Sequence, residues 1–176
     1  MKKRGYLTTI FLSILLVSAS AAAQKSDPTG SVRSFYAFDS KSSQTFNRRN
    51  LDARRRFLSQ RLYNLFREEL RKQTAHLRSD PDDKPFFGDG FPFRPIDEPC
   101  DANGRKLNRR YSVMRVSKFR GSRAVVPVRF SYARPCTIEA MNYNVEVIRS
   151  RSAWVIDDII FDDGSKLSDS MKNHRY

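Results

Sequence analysis

Residues 125–166 read VVPVRFSYARPCTIEAMNYNVEVIRSRSAWVIDDIIFDDGSK. Apolar and polar side chains alternate in Val125–Tyr132 and in Tyr143–Ile148, which is the period of a half-covered β-strand. Trp154–Phe161 is rich in β-branched and aromatic residues and predicts a third strand. Pro127 has no backbone N–H to donate, so it predicts a sheet edge or a bulge at that position. The stretch as a whole predicts an antiparallel meander with one covered face.

The residues before this meander change to helical spacing. Val32, Phe35 and Tyr36 lie three and four apart, which predicts a helix over residues 31–39. Tyr111–Phe119 then adds another strand candidate ahead of the meander. Helices followed by antiparallel strands predict an α+β fold, with N-terminal helices packed on one face of a curved antiparallel sheet.

A second helical region is predicted from Asn50, which can cap it, to about Arg78. Ser59 indicates a break or a second cap, which would divide the region into two helices near residues 57–58. The apolar stripe of this region consists of Leu51, Leu58, Leu62, Leu65, Phe66, Leu70 and Leu77. The arginines expected largely on its outer surface are Arg54, Arg56, Arg61, Arg67 and Arg71. This pattern is typical of an amphipathic helix with an arginine-rich solvent face.

The segment over residues 79–108 holds many prolines and glycines, which exclude a long helix or a central strand. It also carries four phenylalanines within Phe86–Phe93, and other residues must cover them. Two interpretations stay open: a lid or binding loop, and a crossover held by its own aromatic side chains and by Cys100. An exposed apolar patch at Phe86–Phe93 would instead indicate a protein–protein scaffold.

The first 23 residues have the organisation of a secretory signal peptide. The basic residues Lys2–Arg4 precede an apolar run at Leu7–Val17, and Ala21–Ala23 supplies small residues before a cut ahead of Gln24. The apolar run is shorter than the roughly 20 residues of a membrane span, so an uncleaved anchor is the less favoured alternative. No cysteine follows the run to accept a lipid. We expect an exported protein, periplasmic or extracellular, that is soluble after cleavage.

The 153 residues that remain after cleavage are enough for one hydrophobic core. We expect a flexible segment over 24–30, a single α+β domain over 31–171 and a tail over 172–176. Removing the three basic residues of the signal peptide lowers the formal net charge from +14 to +11. This charge either favours anionic partners through a long-range field or serves solubility alone. Cys100 and Cys136 are expected to form one disulfide in an oxidising compartment.

Four short motifs carry a resemblance to a known family. They are Phe35-Tyr36, FLSQRLYNLF at 57–66, DPDD at 80–83 and SAWVIDDI at 152–159. In this order they resemble an exported bacterial family known as domain of unknown function 3828. The resemblance implies the fold of nuclear transport factor two, a cone of helices on a curved sheet, over about Ser31–Met171. The loop Phe-Gly-Asp-Gly-Phe-Pro-Phe and the lack of a lipidation cysteine depart from many members, and the family implies no settled activity.

Asp158 is the candidate for a catalytic group. Enzymes with cone-shaped folds use a carboxylate and a tyrosine inside the cone, so Asp158 would act as a general base. Tyr36 or Tyr63 would then donate to a developing oxyanion. This hypothesis rests on analogy between folds. Asp157 is expected on the opposite face of the strand, where it could not act on the same substrate. The alternative is that one carboxylate pairs with an arginine and the other lies in water.

Other kinds of site have little support in the sequence. His76 and His174 are expected on the surface, so no Ser–His–Asp arrangement is predicted. The acidic turns at residues 80–83 and 162–165 lack the alternating oxygen ligands of a calcium loop. Two cysteines without a nearby histidine do not make a zinc site. We expect no metal and no cofactor.

A basic patch is the remaining candidate, formed by Arg48, Arg49, Arg54, Arg55 and Arg56. It would contact lipid head groups, cell-envelope polymers or nucleic acid, and export makes nucleic acid the least expected of these. The alternative is a solvated helix face without a ligand. The favoured function is a non-enzymatic binding or accessory domain of the cell envelope with an anionic partner. The second hypothesis is a small pocket enzyme of the isomerase, dehydratase or hydrolase type.

Overall fold

The computed structural model describes residues 27–96, 109–132 and 139–176. Helices in these ranges are α1 (Pro28–Asp39), α2 (Arg48–Arg54), α3 (Gln60–Ser79) and α4 (Leu167–Asn173), with a 3₁₀ turn at Arg55–Phe57. The strands are β1 (Arg110–Val113), β2 (Lys118–Arg120), β3 (Arg123–Ser131), β4 (Met141–Ser150) and β5 (Ala153–Ile160). They form one antiparallel sheet in the order β1–β3–β4–β5, with β2 also paired to β3. The predicted α+β class is confirmed.

The edge of the sheet beside β3 differs from the prediction. The single strand expected over Tyr111–Phe119 is two strands, β1 and β2, which pair with different parts of β3. The break lies opposite Pro127, which has no N–H to donate to a continuous neighbour. Pro127 still accepts a hydrogen bond from Met114 N at 2.9 Å. The proline therefore interrupts the adjacent strand and lies itself within a central one.

The first two helices begin earlier than predicted. Helix α1 starts at Pro28, three residues early, because the Asp27 side chain accepts a hydrogen bond from a first-turn N–H. Helix α2 is capped by Asn47, whose side chain accepts from Asn50 N at 2.9 Å. Asn50 was expected to be the cap, and it lies instead within the first turn.

The predicted division at Ser59 is confirmed, and it positions the chain against the sheet. Ser59 Oγ accepts a hydrogen bond from Leu62 N at 3.0 Å and caps α3. The preceding Leu58 is extended and forms a parallel bridge with Ile156 of β5. Ser59 N also donates to the carbonyl of Ile156 at 2.7 Å. The connection between α2 and α3 thus lies along the outer edge of β5.

The helices and the inner face of the sheet enclose the core. The alternation predicted for β3 and β4 is observed, since the buried positions are Ala124, Val126, Val128, Phe130, Tyr143, Val145 and Val147. Helices α1 and α3 cover this face with Val32, Phe35, Tyr36, Leu62 and Phe66, all buried. Burying side chains of this size supplies most of the stability of such a domain.

Residues 86–96 of the proline-rich segment form a crossover packed on the core. Phe87, Phe91 and Phe93 are buried among the core side chains, and Phe86 is partly exposed. The interpretation as a packed crossover is confirmed for these residues. An exposed patch of phenylalanines, which would have indicated a scaffold, is not found among them.

Two contacts hold this crossover in place. Tyr36 donates its hydroxyl hydrogen to the carbonyl of Phe93 at 3.0 Å, inside the core. Gly90 has a φ of 116°, and a Cβ added there would lie 2.6 Å from the carbonyl oxygen of Gln44. This close approach lets Phe91 N donate to the same carbonyl at 3.0 Å.

A buried ion pair joins the ends of α1 and α2. Asp39 and Arg54 are both 0% exposed, and Arg54 Nη2 lies 2.7 Å from Asp39 Oδ1. Other N–H groups of the guanidinium donate to the carbonyls of Asn50 and Ser43, each at 3.0 Å. Its carbon lies 4.2 Å from the ring centroid of Phe91. The prediction that Arg54 lies on the exposed basic face is therefore wrong.

The C-terminal residues, expected to be a tail, contact α3. Glu69 of α3 is buried, and its Oε1 lies 3.0 Å from His174 Nδ1 and accepts a hydrogen bond from the Tyr176 hydroxyl at 3.1 Å. The ring of Tyr176 also stacks on His76 at 4.5 Å. Neither histidine is therefore a freely solvated surface residue.

The predicted signal peptide, Cys100 and Cys136 lie outside the described residues, so cleavage, export and the disulfide stay predictions. Within residues 27–96, 109–132 and 139–176, no helix combines the length and the apolar composition that crossing a membrane requires.

Candidate functional site

Two tight turns lie side by side at one end of the sheet. The β2–β3 turn contains Gly121 with a φ of 56°, and the β4–β5 turn contains Arg151 with a φ of 55°. Arg149 N donates to the carbonyl of Ser122 at 2.7 Å, which ties the second turn to the first. Left-handed backbone of this kind is ordinary for glycine and uncommon for arginine.

These turns bring together five exposed cations, which we call the basic end: Lys118, Arg120, Arg123, Arg149 and Arg151. One ion pair among the described residues involves them, between Arg123 Nη1 and Asp157 Oδ2 at 4.0 Å. The other four cations have no ion-pair partner in this part of the chain. The basic end is therefore a site of excess positive charge. Its like-charged side chains repel one another unless an anion or salt is present.

An exposed aromatic side chain lies within the basic end. Phe119 is 60% exposed, and its ring centroid is 5.7 Å from that of the nearly buried Trp154. Phe119 lies between Lys118 and Arg120 in β2, and these two side chains project from the opposite face of the sheet. Arg149, which pairs with Trp154 across the β4–β5 hairpin, lies on the same face as Phe119. The site therefore combines positive charge with apolar surface that water does not favour.

The patch predicted at Arg48–Arg56 is present only in part. Arg48 pairs with Asp52 at 2.9 Å, and Arg49 is exposed. Arg54 is buried, as described above. Arg55 lies over the ring of Tyr63 at 4.1 Å, and Arg56 lies over Phe57 at 4.7 Å and Phe38 at 5.4 Å; both arginines remain exposed.

The bridge between Leu58 and Ile156 sets the direction of the chain that carries this predicted patch. Because Leu58 and Ile156 pair in parallel, residues before Leu58 run toward the same end of the sheet as residues before Ile156. The side chains of Arg55 and Arg56 nevertheless lie over Tyr63 and over Phe57 and Phe38, and no contact among the described residues joins them to the basic end. No local pattern in the sequence indicates the basic end, since its cations come from two separate stretches of the chain.

Asp158, the predicted general base, is fully engaged by hydrogen bonds. Its Oδ1 accepts from Ser168 N at 3.0 Å and from Ile159 N at 2.9 Å, and its Oδ2 accepts from Ser168 Oγ at 2.6 Å. Arg61 Nη2 lies 3.4 Å from the same Oδ2. These contacts fix the start of α4 against β5 and leave the carboxylate little capacity to take a substrate proton.

The expectation that Asp157 and Asp158 face opposite ways is wrong. Asp157 lies at an irregularity in the pairing of β4 with β5, and such a bulge breaks the alternation of side chains. Arg61 consequently reaches both carboxylates, with its Nε 3.2 Å from Asp157 Oδ1. The alternative of one carboxylate paired with an arginine and the other in water is right about the arginine and wrong about the water, because Arg61 contacts both carboxylates and both are buried.

Asp158 borders a hollow of about 330 Å³ whose charges largely pair with one another. Lys166 lies 3.1 Å from Glu146, and Lys172 lies 3.1 Å from Asp169. The hollow has no tyrosine in its described lining. It is best described as an ion-pair network around the β5 edge.

Tyr36 and Tyr63 are engaged elsewhere. The Tyr36 hydroxyl is bound to a carbonyl in the core, and burial raises the pKa of this group well above its usual value. Tyr63 donates to Asp52 Oδ1 at 2.5 Å, and this hydrogen bond raises the Tyr63 pKa. Neither hydrogen-bonds to Asp158, so the structure does not assemble the predicted carboxylate–tyrosine pair.

Three potential metal ligands do approach one another at the end of α3. His76, Asp80 and Asp83 place ligand atoms within 4.8 Å of each other, and His76 Nε2 lies 2.6 Å from Asp83 Oδ2. Both carboxylates are exposed. The hydrogen bond and the stacking of Tyr176 account for the arrangement, and we assign no metal to it.

Comparisons of the chain with models of protein families, with curated proteins and with solved structures return no match. The resemblance to the exported bacterial family, and the cone that it implies, stay predictions.

Proposed function

We propose that this protein is a non-enzymatic, exported binding or accessory domain of the cell envelope, and that its basic end binds the anionic head groups of a membrane surface. The observation that carries the proposal is the excess charge of the basic end. Of its five exposed cations, only Arg123 has an ion-pair partner among the described residues. Each cation near an anionic bilayer contributes about 1 kcal/mol of attraction.

A lipid surface fits this site better than a soluble polymer does, because of Phe119. Aromatic side chains favour the head-group region of a bilayer, where an apolar ring and neighbouring cations are both accommodated. A polymer of anionic groups would use the cations and leave this ring in water. The β2–β3 and β4–β5 turns are also well placed to contact a flat surface, because both project from the same end of the sheet.

The enzyme hypothesis is not supported by a comparable observation. Asp158 is held by a serine, a backbone N–H and an arginine, and the two candidate tyrosines are engaged elsewhere. A general base must reach the proton that it removes.

The test measures binding of the exported protein to vesicles of phosphatidylcholine with and without phosphatidylglycerol. The variant Arg120→Gln/Arg149→Gln/Arg151→Gln removes three cations of the basic end. The control Arg33→Gln/Arg67→Gln/Arg78→Gln makes the same change in net charge at exposed helical positions. We expect the first variant to lose roughly 100-fold in affinity for anionic vesicles, from about 1 kcal/mol per cation, and the control to lose far less.

Two further measurements test the proposal: the salt dependence of vesicle binding and the effect of replacing Phe119. Binding should weaken steeply as salt rises from about 0.1 M to about 1 M, because the Debye length falls from about 10 Å to about 3 Å. Phe119→Ser should weaken vesicle binding without changing its salt dependence. The proposal would be overturned if the protein bound neutral vesicles as tightly as anionic ones. It would also be overturned if the two triple variants lost the same affinity for anionic vesicles. Binding to soluble polyphosphate but not to vesicles would identify a polymer as the partner instead.

A further inference from the structure

A second candidate site lies away from the basic end. The packed crossover at residues 86–96, the start of β4, the end of β5 and α4 enclose a cleft of about 650 Å³. This lies within the range of about 300–1,000 Å³ typical of pockets for small ligands. Its walls are mostly apolar and include Phe87, Phe91, Met141, Tyr143, Phe161 and Leu167. Such a lining favours a ligand with a hydrocarbon or aromatic body.

The wall of the cleft carries an excess positive charge. Asp39 is fully buried and forms ion pairs with two arginines, Arg54 and Arg94. Arg54 already satisfies Oδ1 of this carboxylate at 2.7 Å, so two guanidinium charges face one carboxylate charge. Asp89 also lines the cleft, but it is neutralised by Lys84 at 2.7 Å. An unbalanced cation beside an apolar cleft attracts an anion strongly, since water screens it little there.

Arg94 can supply this attraction, whereas Arg109, the other arginine that lines the cleft, donates to the carbonyls of Pro95 and Ile96 and to the Tyr132 hydroxyl. Arg94 Nε lies 3.1 Å from Asp39 Oδ2, yet this buried nitrogen has no well-aligned hydrogen-bond acceptor. No hydrogen bond from its other two nitrogens is formed within the described residues, and the side chain is 25% exposed. Arg94 lines the cleft and therefore offers donors in the planar arrangement that carboxylates accept.

Tyr143 adds a neutral donor to the same cleft. It lines the wall, and no hydrogen bond of its hydroxyl is formed within the described residues. Burial raises its pKa to about 12, so the hydroxyl keeps its proton at neutral pH and can donate to an anion. A cation and a hydroxyl donor on an apolar wall match a ligand with one charged end.

We propose that this cleft binds a single-chain amphipathic carboxylate, of the fatty-acid class, with its carboxylate at Arg94 and its chain along Phe91, Met141 and Phe161. The charged end accepts from the guanidinium nitrogens of Arg94 that do not contact Asp39, and the chain covers the exposed parts of Met141 and Phe161. This site is separate from the basic end and does not depend on the proposed function.

The experiment compares two ligands of the same chain length by titration calorimetry: dodecanoate, kept below its micelle concentration, and dodecanol. We expect dodecanoate to bind at least about 10-fold more tightly, because a hydrogen bond to a charged group distinguishes the two ligands by that much or more. Equal affinities would overturn the assignment of the carboxylate to Arg94. The absence of binding by both would overturn the site itself.

Variants locate the ligand in the protein. Arg94→Gln should abolish the preference for dodecanoate over dodecanol and leave dodecanol binding unchanged, and the fold should persist because Arg54 still neutralises Asp39. Met141→Trp, which adds bulk to the wall, should weaken both ligands. The triple variant of the basic end should bind dodecanoate as tightly as the unaltered protein. A loss in that variant would place the ligand at the basic end and refute the cleft.

Discussion

Replacing Arg54 by methionine tests the buried ion pair most directly. Methionine has a similar shape and no charge, so the change leaves Asp39 in the core with Arg94 alone, at 3.1 Å and poorly aligned. The carbonyls of Ser43 and Asn50 also lose their donors. Removing one partner of a buried pair costs about 3–5 kcal/mol, because the other charge stays buried without compensation.

We therefore expect Arg54→Met to lower the free energy of unfolding by about 3–5 kcal/mol, a large part of the roughly 5–15 kcal/mol available to a domain. For a chain of this length, the melting temperature should fall by roughly 2–4 °C per kcal/mol. Urea unfolding gives the difference directly. The control is Arg49→Met, an exposed arginine of the same helix, which should change the unfolding free energy by less than about 0.5 kcal/mol.

Two further measurements make the reasoning refutable. The double variant Asp39→Asn/Arg54→Met should be less destabilised than the sum of its single variants, because the two side chains interact. The loss in Arg54→Met should also persist in high salt, which screens exposed pairs far more than buried ones. Equal unfolding midpoints for Arg54→Met and Arg49→Met would show that the pair contributes nothing.

Gly90→Ala should destabilise by at least about 1 kcal/mol more than Gly121→Ala, because both have a positive φ but only the Cβ at Gly90 meets backbone, at 2.6 Å from Gln44 O. Equal urea midpoints for these two variants would contradict the tight contact between the crossover and the α1–α2 connection. The pKa of Tyr143 is raised from 10.0 to about 12 by burial, so the unfolded state loses the proton first as the pH rises. This contribution to stability is complete below pH 10.0 and should be lost progressively up to about pH 12; Tyr143→Phe should show a smaller fall over that window, and an unchanged fall would refute the assignment.

The fold class was predictable because the inner face of β3 and β4 alternates without interruption. The cap at Ser59 was also predictable, because an apolar stripe continues on both sides of a residue that favours helix starts. Arg54 was misplaced although a signal existed. It lies three residues after Leu51 and four before Leu58, on the apolar stripe itself, and a charge at such a position indicates a buried partner.

Other features depend on contacts between distant stretches and have no local signal. The basic end joins residues 118–123 to residues 149–151 only after the register of the hairpins is known. The bulge at Asp157 depends on how β5 pairs with β4, and alternation along one strand cannot reveal it. The cleft beside Arg94 likewise arises where the crossover meets α4.

The contacts along β5 also bear on self-association. β5 is the last strand of the described sheet order and consists largely of tryptophan, valine and isoleucine, a composition that favours pairing with strands of other molecules. The bridge from Leu58, the bulge at Asp157 and the contacts of Arg61 interrupt this edge, and Lys166 pairs with Ile160 beyond them. An incoming strand would meet no continuous row of free backbone donors and acceptors. The break between α2 and α3 therefore helps to keep the protein from forming intermolecular β-sheet.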